Sequence, residues 1–133
     1  KQRKALLAED TFINQTLQTI LLNRMGYTVT LANNGLEAVE AFTKNTFDVV
    51  LMDIQMPEMG GVEATEVIRG MEKSEQKNRT PIIAVTANAL KGDRERYMAS
   101  GMDGYVSKPI ALEALRLEIK RLLSQEAATA PER

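Results

Sequence analysis

Val49-Val-Leu-Met-Asp53 is the stretch from which the fold can be read. Four consecutive apolar residues stop at a carboxylate, and a turn then runs to Pro57. A strand with one wet face alternates polar and apolar residues, so an unbroken apolar run suits a strand buried on both faces. Ile82-Ile-Ala-Val85 reads the same way, and the strand it opens runs to Thr86. Further out, Ala5–Ala8, Thr28–Ala32 and Tyr105–Ser107 read as short strands, and Thr28-Val-Thr-Leu-Ala32 alternates as an edge strand does.

Helical periods fill the gaps between them. Ile13, Leu17, Ile20 and Leu21 fall at i, i+4, i+7 and i+8 and predict a helix that buries that stripe. Gly35–Lys44 carries Val39 and Phe42; Val62–Met71 carries Ala64, Val67, Ile68 and Met71; Leu112–Leu123 carries Leu112, Leu115, Ile119 and Leu122. Lys91–Ser100 has only Tyr97, Met98 and Ala99 as apolar anchors and is expected to be held most loosely. The charged stretch Glu72–Thr80 reads as a solvated loop. Strands alternating with helices require crossover connections, which are right-handed and give a parallel sheet covered on both faces. The expectation is an α/β, doubly wound, flavodoxin-like sheet of five parallel strands in the order 2-1-3-4-5 with five helices. Residues 1–123 are read as one domain and 124–133 as a polar tail or linker. With no initial Met and a start almost inside the first strand, the chain reads as a piece of something longer.

Composition narrows the chemistry. Seventeen basic residues against eighteen acidic ones give a net charge of −1, with no long basic run, so a nucleic-acid footprint is not expected. No stretch reaches the roughly 20 apolar residues that span a bilayer, and no membrane contact by this segment is expected. The absence of Cys removes thiol catalysis and suits a reducing, cytoplasmic setting. The absence of His removes the Ser-His-Asp triad, histidine-ligated zinc and a phosphohistidine-carrier role. What remains is carboxylate, Lys, Thr, Tyr and backbone.

In a doubly wound sheet the site lies beyond the carboxyl ends of the strands. Glu9 and Asp10 follow the first strand, Asp53 the third, Thr86 ends the fourth, and Lys108-Pro109 follows the fifth. Any one could serve a cap, a turn or a strand, but their convergence on one rim is hard to assign to chance. Three carboxylates carry −3; Lys108 supplies +1 and a divalent cation would supply the remaining +2. With only oxygen ligands on offer, a hard ion is implied, and Mg²⁺ suits such a site, with Mn²⁺ as the alternative. A carboxylate beside such an ion, Lys108 and Thr86 can attack phosphorus. Lys108 then neutralises phosphoryl charge, while the Thr86 hydroxyl and the backbone N–H groups of Ile54 and Ala87 donate to its oxygens.

With these residues in place, the sequence resembles the response-regulator receiver family of two-component signalling from Lys4 to Leu123. Leu6-Leu-Ala-Glu-Asp10, Val49 to Pro57 with Gly60-Gly61, Pro81-Ile-Ile-Ala-Val-Thr-Ala87 and Gly101-Met-Asp-Gly-Tyr-Val-Ser-Lys-Pro109 carry the resemblance. It implies that Asp53 is the phosphoacceptor, that Asp10, Asp53 and the Gln55 carbonyl bind Mg²⁺, and that Glu9 assists through water. It implies a phosphohistidine donor on a sensor histidine kinase or a histidine phosphotransfer protein, and a cis Lys108-Pro109 bond. It further implies that Thr86 and Tyr105 switch together, making Lys91–Ser100 part of an output face, and that Gln55 and Asn88 tune phosphoryl lifetime. Phosphorylation-dependent dimerisation is left open. Asn14-Gln15, Met52 to Gly61 and Ala87 to Asp93 look most like receivers fused to hybrid sensor histidine kinases, although Thr11-Phe12 stands where that group often has Asn-Pro.

Two rival chemistries fit less well. An aspartyl-phosphate hydrolase of the haloacid dehalogenase type needs a second Asp two residues after the nucleophile, where this chain has Gln55. A flavin carrier needs a hydroxyl- and glycine-rich loop after the first strand, where Glu9-Asp10 would repel the phosphate. The expected activity is confined to the domain's own phosphorylation and dephosphorylation.

Overall fold

The computed structural model describes residues 3–87 and 91–129. Strands β1 (Arg3–Ala8), β2 (Tyr27–Ala32), β3 (Val49–Asp53), β4 (Ile82–Thr86) and β5 (Gly104–Ser107) alternate with helices α1 (Phe12–Arg24), α2 (Gly35–Lys44), α3 (Gly61–Ser74), α4 (Lys91–Ser100) and α5 (Leu112–Thr129). Every pairing is parallel and the order is β2-β1-β3-β4-β5, as expected. The α5 helix continues past Leu123 to Thr129.

The unbroken apolar strands are buried on both sides because successive side chains point to opposite faces. On one face Leu6, Ala8, Val50, Met52, Ile82 and Ala84 pack with Ala38 and Phe42 of α2, Ala64 and Ile68 of α3 and Tyr97 of α4. On the other, Ala5, Leu7, Val49, Leu51, Ile83 and Val85 pack with Leu21 and Leu22 of α1 and Leu115, Ile119 and Leu122 of α5. The sheet is thus a rigid plate with five strand ends along one rim. Helix α2 starts sharply because the Asn34 side chain accepts the Glu37 N–H at 2.8 Å, supplying a partner to a first-turn donor that the helix itself cannot satisfy.

Three expectations need correction. In α1 the stripe predicted to be buried is largely outside: Leu21 is buried, but Ile13 is 72% exposed, Leu17 43% and Ile20 45%. The face turned to the protein is instead Gln15, Gln18, Leu21 and Leu22. In α3, Val67 is exposed while Ala64 and Ile68 are buried. The third concerns Glu72, read as part of a solvated loop. It lies inside α3 and is buried, because Arg69 donates to one of its oxygens at 2.7 Å and the Thr80 N–H to the other at 2.8 Å. A buried carboxylate persists where donors are fixed around it. Arg69 also holds Asp103, just before β5, at 2.6 Å.

Candidate metal centre at the strand ends

Parallel pairing brings the carboxyl ends of the central strands to one rim, with Ala8 opposite Met52 and Asp53 opposite Val85. The ladder extends slightly further at both flanks, where the Glu9 N–H donates to the Ala32 carbonyl at 3.0 Å and the Lys108 N–H to the Thr86 carbonyl at 2.9 Å. Glu9 and Lys108 are therefore fixed as firmly as strand residues. Gly61, the first residue of α3, lies against the end of β3: its N–H donates to the Ile54 carbonyl at 2.9 Å, and a Cβ there would collide with the Asp53 carbonyl oxygen. Only glycine lets α3 begin this close to Asp53. The Lys108-Pro109 bond is cis, as the resemblance implied.

Carboxylate oxygens of Glu9, Asp10 and Asp53 lie within 4.8 Å of one another; Glu9 and Asp53 are buried and Asp10 is exposed. At an effective dielectric of 20 each such pair repels by about 3–4 kcal/mol. Lys108 offsets part of this, its Nζ standing 3.1 Å from Asp53 Oδ1 and 3.5 Å from Glu9 Oε1. Burial, and then the Glu9 charge, push the Asp53 carboxyl up to about 6 despite Lys108, with Asp10 adding to the rise. Burial pulls the Lys108 ammonium down, but its bonds to Asp53 and Glu9 outweigh this and hold it above the ordinary lysine value. One ammonium does not neutralise the cluster. A hard divalent cation fits what is left, since every side-chain donor is an oxygen and one carboxylate opens to solvent.

The inverted face of α1 has its cause here. Glu9 is fully buried, and three residues that follow it supply donors. Its Oε2 accepts from the Thr11 N–H at 3.1 Å and from Asn14 Nδ2 at 3.3 Å, and its Oε1 from Gln18 Nε2 at 3.4 Å. Gln15 Nε2 donates to the Glu9 carbonyl at 2.6 Å and to Asn33 Oδ1 at 2.7 Å. The sequence reading missed these amides as site residues. The available signal was their spacing, since 14, 15 and 18 share one helical face directly after a carboxylate at a strand end.

The other expected residues are distributed as follows. Thr86 is buried, and its hydroxyl is 3.0 Å from that of Tyr97, the buried aromatic of α4, a contact the sequence did not suggest. Tyr105 is half-buried; its hydroxyl accepts from Arg94, whose guanidinium lies 5.2 Å from the ring centroid. The Ile54 N–H is engaged by the Val85 carbonyl at 3.2 Å, while Gln55 and Ala87 are exposed. Asn88 lies outside the described residues. A cavity of about 950 Å³ lies at the opposite end of the sheet, lined by Asp48, Lys77 and Pro81 among others. Convergent charge marks the site at the strand ends. Among the described residues no helix is long and apolar enough to cross a membrane.

Comparison with known proteins agrees with this geometry. The family model described as the response regulator receiver domain matches residues 5–120. Hybrid signal transduction histidine kinase I of Dictyostelium discoideum is 47% identical over 113 residues, covering 81% of this chain and 6% of that protein. The chain thus spans a small part of that relative's length. The receiver domain of a sensor histidine kinase of Pseudomonas aeruginosa PAO1, crystallised with a magnesium ion coordinated in its active-site cleft, superposes with a TM-score of 0.82 at 39% identity, over 93% of this chain and 99% of that one. The receiver domain of a Saccharomyces cerevisiae response regulator, in co-crystals with its histidine phosphotransfer signalling protein, gives 0.84 at 31% identity over 90% and 87% of the two chains.

Proposed function

The chain belongs to the response regulator receiver domain family, and from that premise we propose that it relays a signal by taking a phosphoryl group from a phosphohistidine onto Asp53. The observation that carries this is Lys108 Nζ at 3.1 Å from Asp53 Oδ1, with the oxygens of Glu9 and Asp10 gathered beside it. In the reaction the phosphorus–nitrogen bond of the donor breaks as a bond forms from an Asp53 carboxylate oxygen to phosphorus. Lys108 orients the nucleophile and balances charge on the phosphoryl oxygens. Glu9, Asp10, Asp53 and the Gln55 carbonyl would hold Mg²⁺, which supplies further positive charge when bound. Thr86 and the backbone N–H of Ala87 are assigned to the phosphoryl oxygens. Ile54 can join them only by leaving the Val85 carbonyl.

The domain acts on itself alone, through its own phosphorylation and dephosphorylation. Its switch begins at Thr86: drawing that hydroxyl toward a phosphoryl group takes it from the Tyr97 hydroxyl and so disturbs α4, while Tyr105 leaves Arg94 and turns inward. Gln55 and Asn88 are assigned to phosphoryl lifetime. Partner choice is supported by the outer face of α1, where Phe12, Ile13, Leu17 and Ile20 are exposed beside the acidic rim and suit an apolar helical surface that presents a phosphohistidine. We place the segment on the cytoplasmic side, as the receiver of a hybrid histidine kinase.

Replacing Asp53 with Asn, an isostere that cannot form the acyl phosphate, is expected to abolish labelling by acetyl phosphate and by a phosphohistidine protein, and chelation of Mg²⁺ to suppress labelling of the unaltered chain. Undiminished labelling of the Asp53→Asn variant would overturn the assignment.

A further inference from the structure

Gln18 stands where a helix facing a sheet normally places an apolar side chain, and it is only 3% exposed. Its Nε2 donates to Glu9 Oε1 at 3.4 Å, while its Oε1 is buried and has no hydrogen-bond partner among the described residues. An unmet buried acceptor costs stability that a methionine or leucine of similar volume would not. Packing therefore gives no reason for an amide at this position. The carboxylate does.

We propose that Gln18 is a positioning residue for Glu9, and that through Glu9 it sets how tightly the acidic cluster binds a divalent cation. The orientation of the amide follows from charge: reversed, it would turn its oxygen toward the Glu9 anion. Asn14 and the Thr11 N–H fix one Glu9 oxygen, and Gln18 fixes the other, which also faces Lys108 Nζ at 3.5 Å. Both ends of the carboxylate are then held at the strand terminus, short of the exposed Asp10, and Lys108 is left balanced between Glu9 and Asp53. With the amide gone, Lys108 becomes the sole donor to Glu9 Oε1 among the described residues and is drawn from Asp53 toward Glu9. The oxygens that should converge on the cation lose their register. Groups that orient metal-binding residues commonly change affinity by about 10- to 100-fold when removed.

The proposal rests on reading Glu9, Asp10 and Asp53 as a Mg²⁺ site, and its test separates the two. The unaltered chain, Gln18→Met, Gln18→Leu and Leu22→Ala are each titrated with MgCl₂ by calorimetry, and each is unfolded in urea without metal. The expected result is that the unaltered chain binds Mg²⁺ and that both Gln18 variants, read per folded molecule, bind it about tenfold more weakly, whereas Leu22→Ala, which truncates a buried α1 side chain that makes no hydrogen bond, lowers the metal-free urea midpoint and leaves the Mg²⁺ affinity as it was. Gln18 variants that bind Mg²⁺ as tightly as the unaltered chain overturn the proposal while leaving the metal site standing. Equal weakening of Mg²⁺ binding by Leu22→Ala overturns it too, because loosening of α1 would then account for the effect without the bond from Gln18 to Glu9. An unaltered chain that takes up no Mg²⁺ overturns the site reading and the proposal with it.

Discussion

Helices α1 and α5 cover the same face of the sheet, yet they are built to opposite rules. In α5, Leu115, Ile119 and Leu122 point inward at i, i+4 and i+7, so its apolar stripe is its buried stripe. In α1, amides point inward over the first turns, Leu21 and Leu22 reach the core only near the end, and the apolar stripe faces water. The helices also differ in what lies beneath their first turns. Helix α1 starts three residues beyond a fully buried carboxylate, whereas α5 starts beyond Lys108, which is partly open to solvent. A buried anion has to be met by donors, and the nearest helix supplies them at the expense of its own packing. Burial in α5 serves the fold. Burial at the start of α1 serves the site.

The contrast breaks most visibly through stability. Leu115 is fully buried in α5, and Leu115→Ala leaves a cavity expected to cost about 3 kcal/mol in urea unfolding. Labelling of Asp53 per folded molecule should be unchanged. If the same truncation at the exposed Leu17 costs as much, the two helices do not differ in the way described.

A second measurement sharpens the contrast by reading the cost of the site itself. In the metal-free protein the Asp53 carboxyl sits at about 6, raised by burial and by Glu9. Below about pH 4 it is protonated in both the folded and unfolded chain, and nothing is lost. Between about 4 and 6 the unfolded chain ionises while the folded site keeps its proton, so stability falls as pH rises, and the full cost persists above 6. Asp53→Asn, which mimics the neutral group, should therefore be more stable than the unaltered chain at pH 7 without metal, by about 3 kcal/mol, and the advantage should vanish toward pH 4. Saturating Mg²⁺ should stabilise the unaltered chain and leave the variant nearly where it was. A pH-independent difference between the two would remove the electrostatic account.

These differences also mark what a sequence can disclose. The sheet was legible because Val49–Met52 and Ile82–Val85 carry their information locally: unbroken apolar runs need cover on both faces wherever they sit. The site was legible because parallel strands bring their ends together, so Glu9, Asp10, Asp53, Thr86 and Lys108 could be gathered from position alone. The face of α1 was not legible in this way, because the reason for Gln15 and Gln18 lies in the burial of Glu9, a property of the assembled sheet. Glu72 failed for the same reason, its donors coming from Arg69 and the distant Thr80. Tyr97 was seen as an apolar anchor, but its bond to Thr86 joins two elements whose alignment the periodicity does not specify. Periodicity reports what an element needs. It is silent on what a neighbouring buried charge needs from that element.

The smallest expected change in stability is the one that tests why α1 can leave its apolar stripe in water. Ile13 and Leu17 are exposed, so Ile13→Ser with Leu17→Ser should alter urea stability by no more than about 0.5 kcal/mol for each substitution. If the stripe is merely tolerated, nothing else should move. If it receives the helical surface that carries a phosphohistidine, losing the two side chains removes apolar contact area available only in that complex. Two half-exposed aliphatic groups correspond to about 1–2 kcal/mol of binding, or roughly tenfold in phosphotransfer from a histidine phosphotransfer protein at limiting concentration. Acetyl phosphate needs no docking surface, so its labelling rate should stay as it was. Equal slowing with both donors would place the damage inside the site. No slowing with either would mean that the outward stripe is only the residue of an inward face occupied by amides, and the partner would have to be sought elsewhere on the rim.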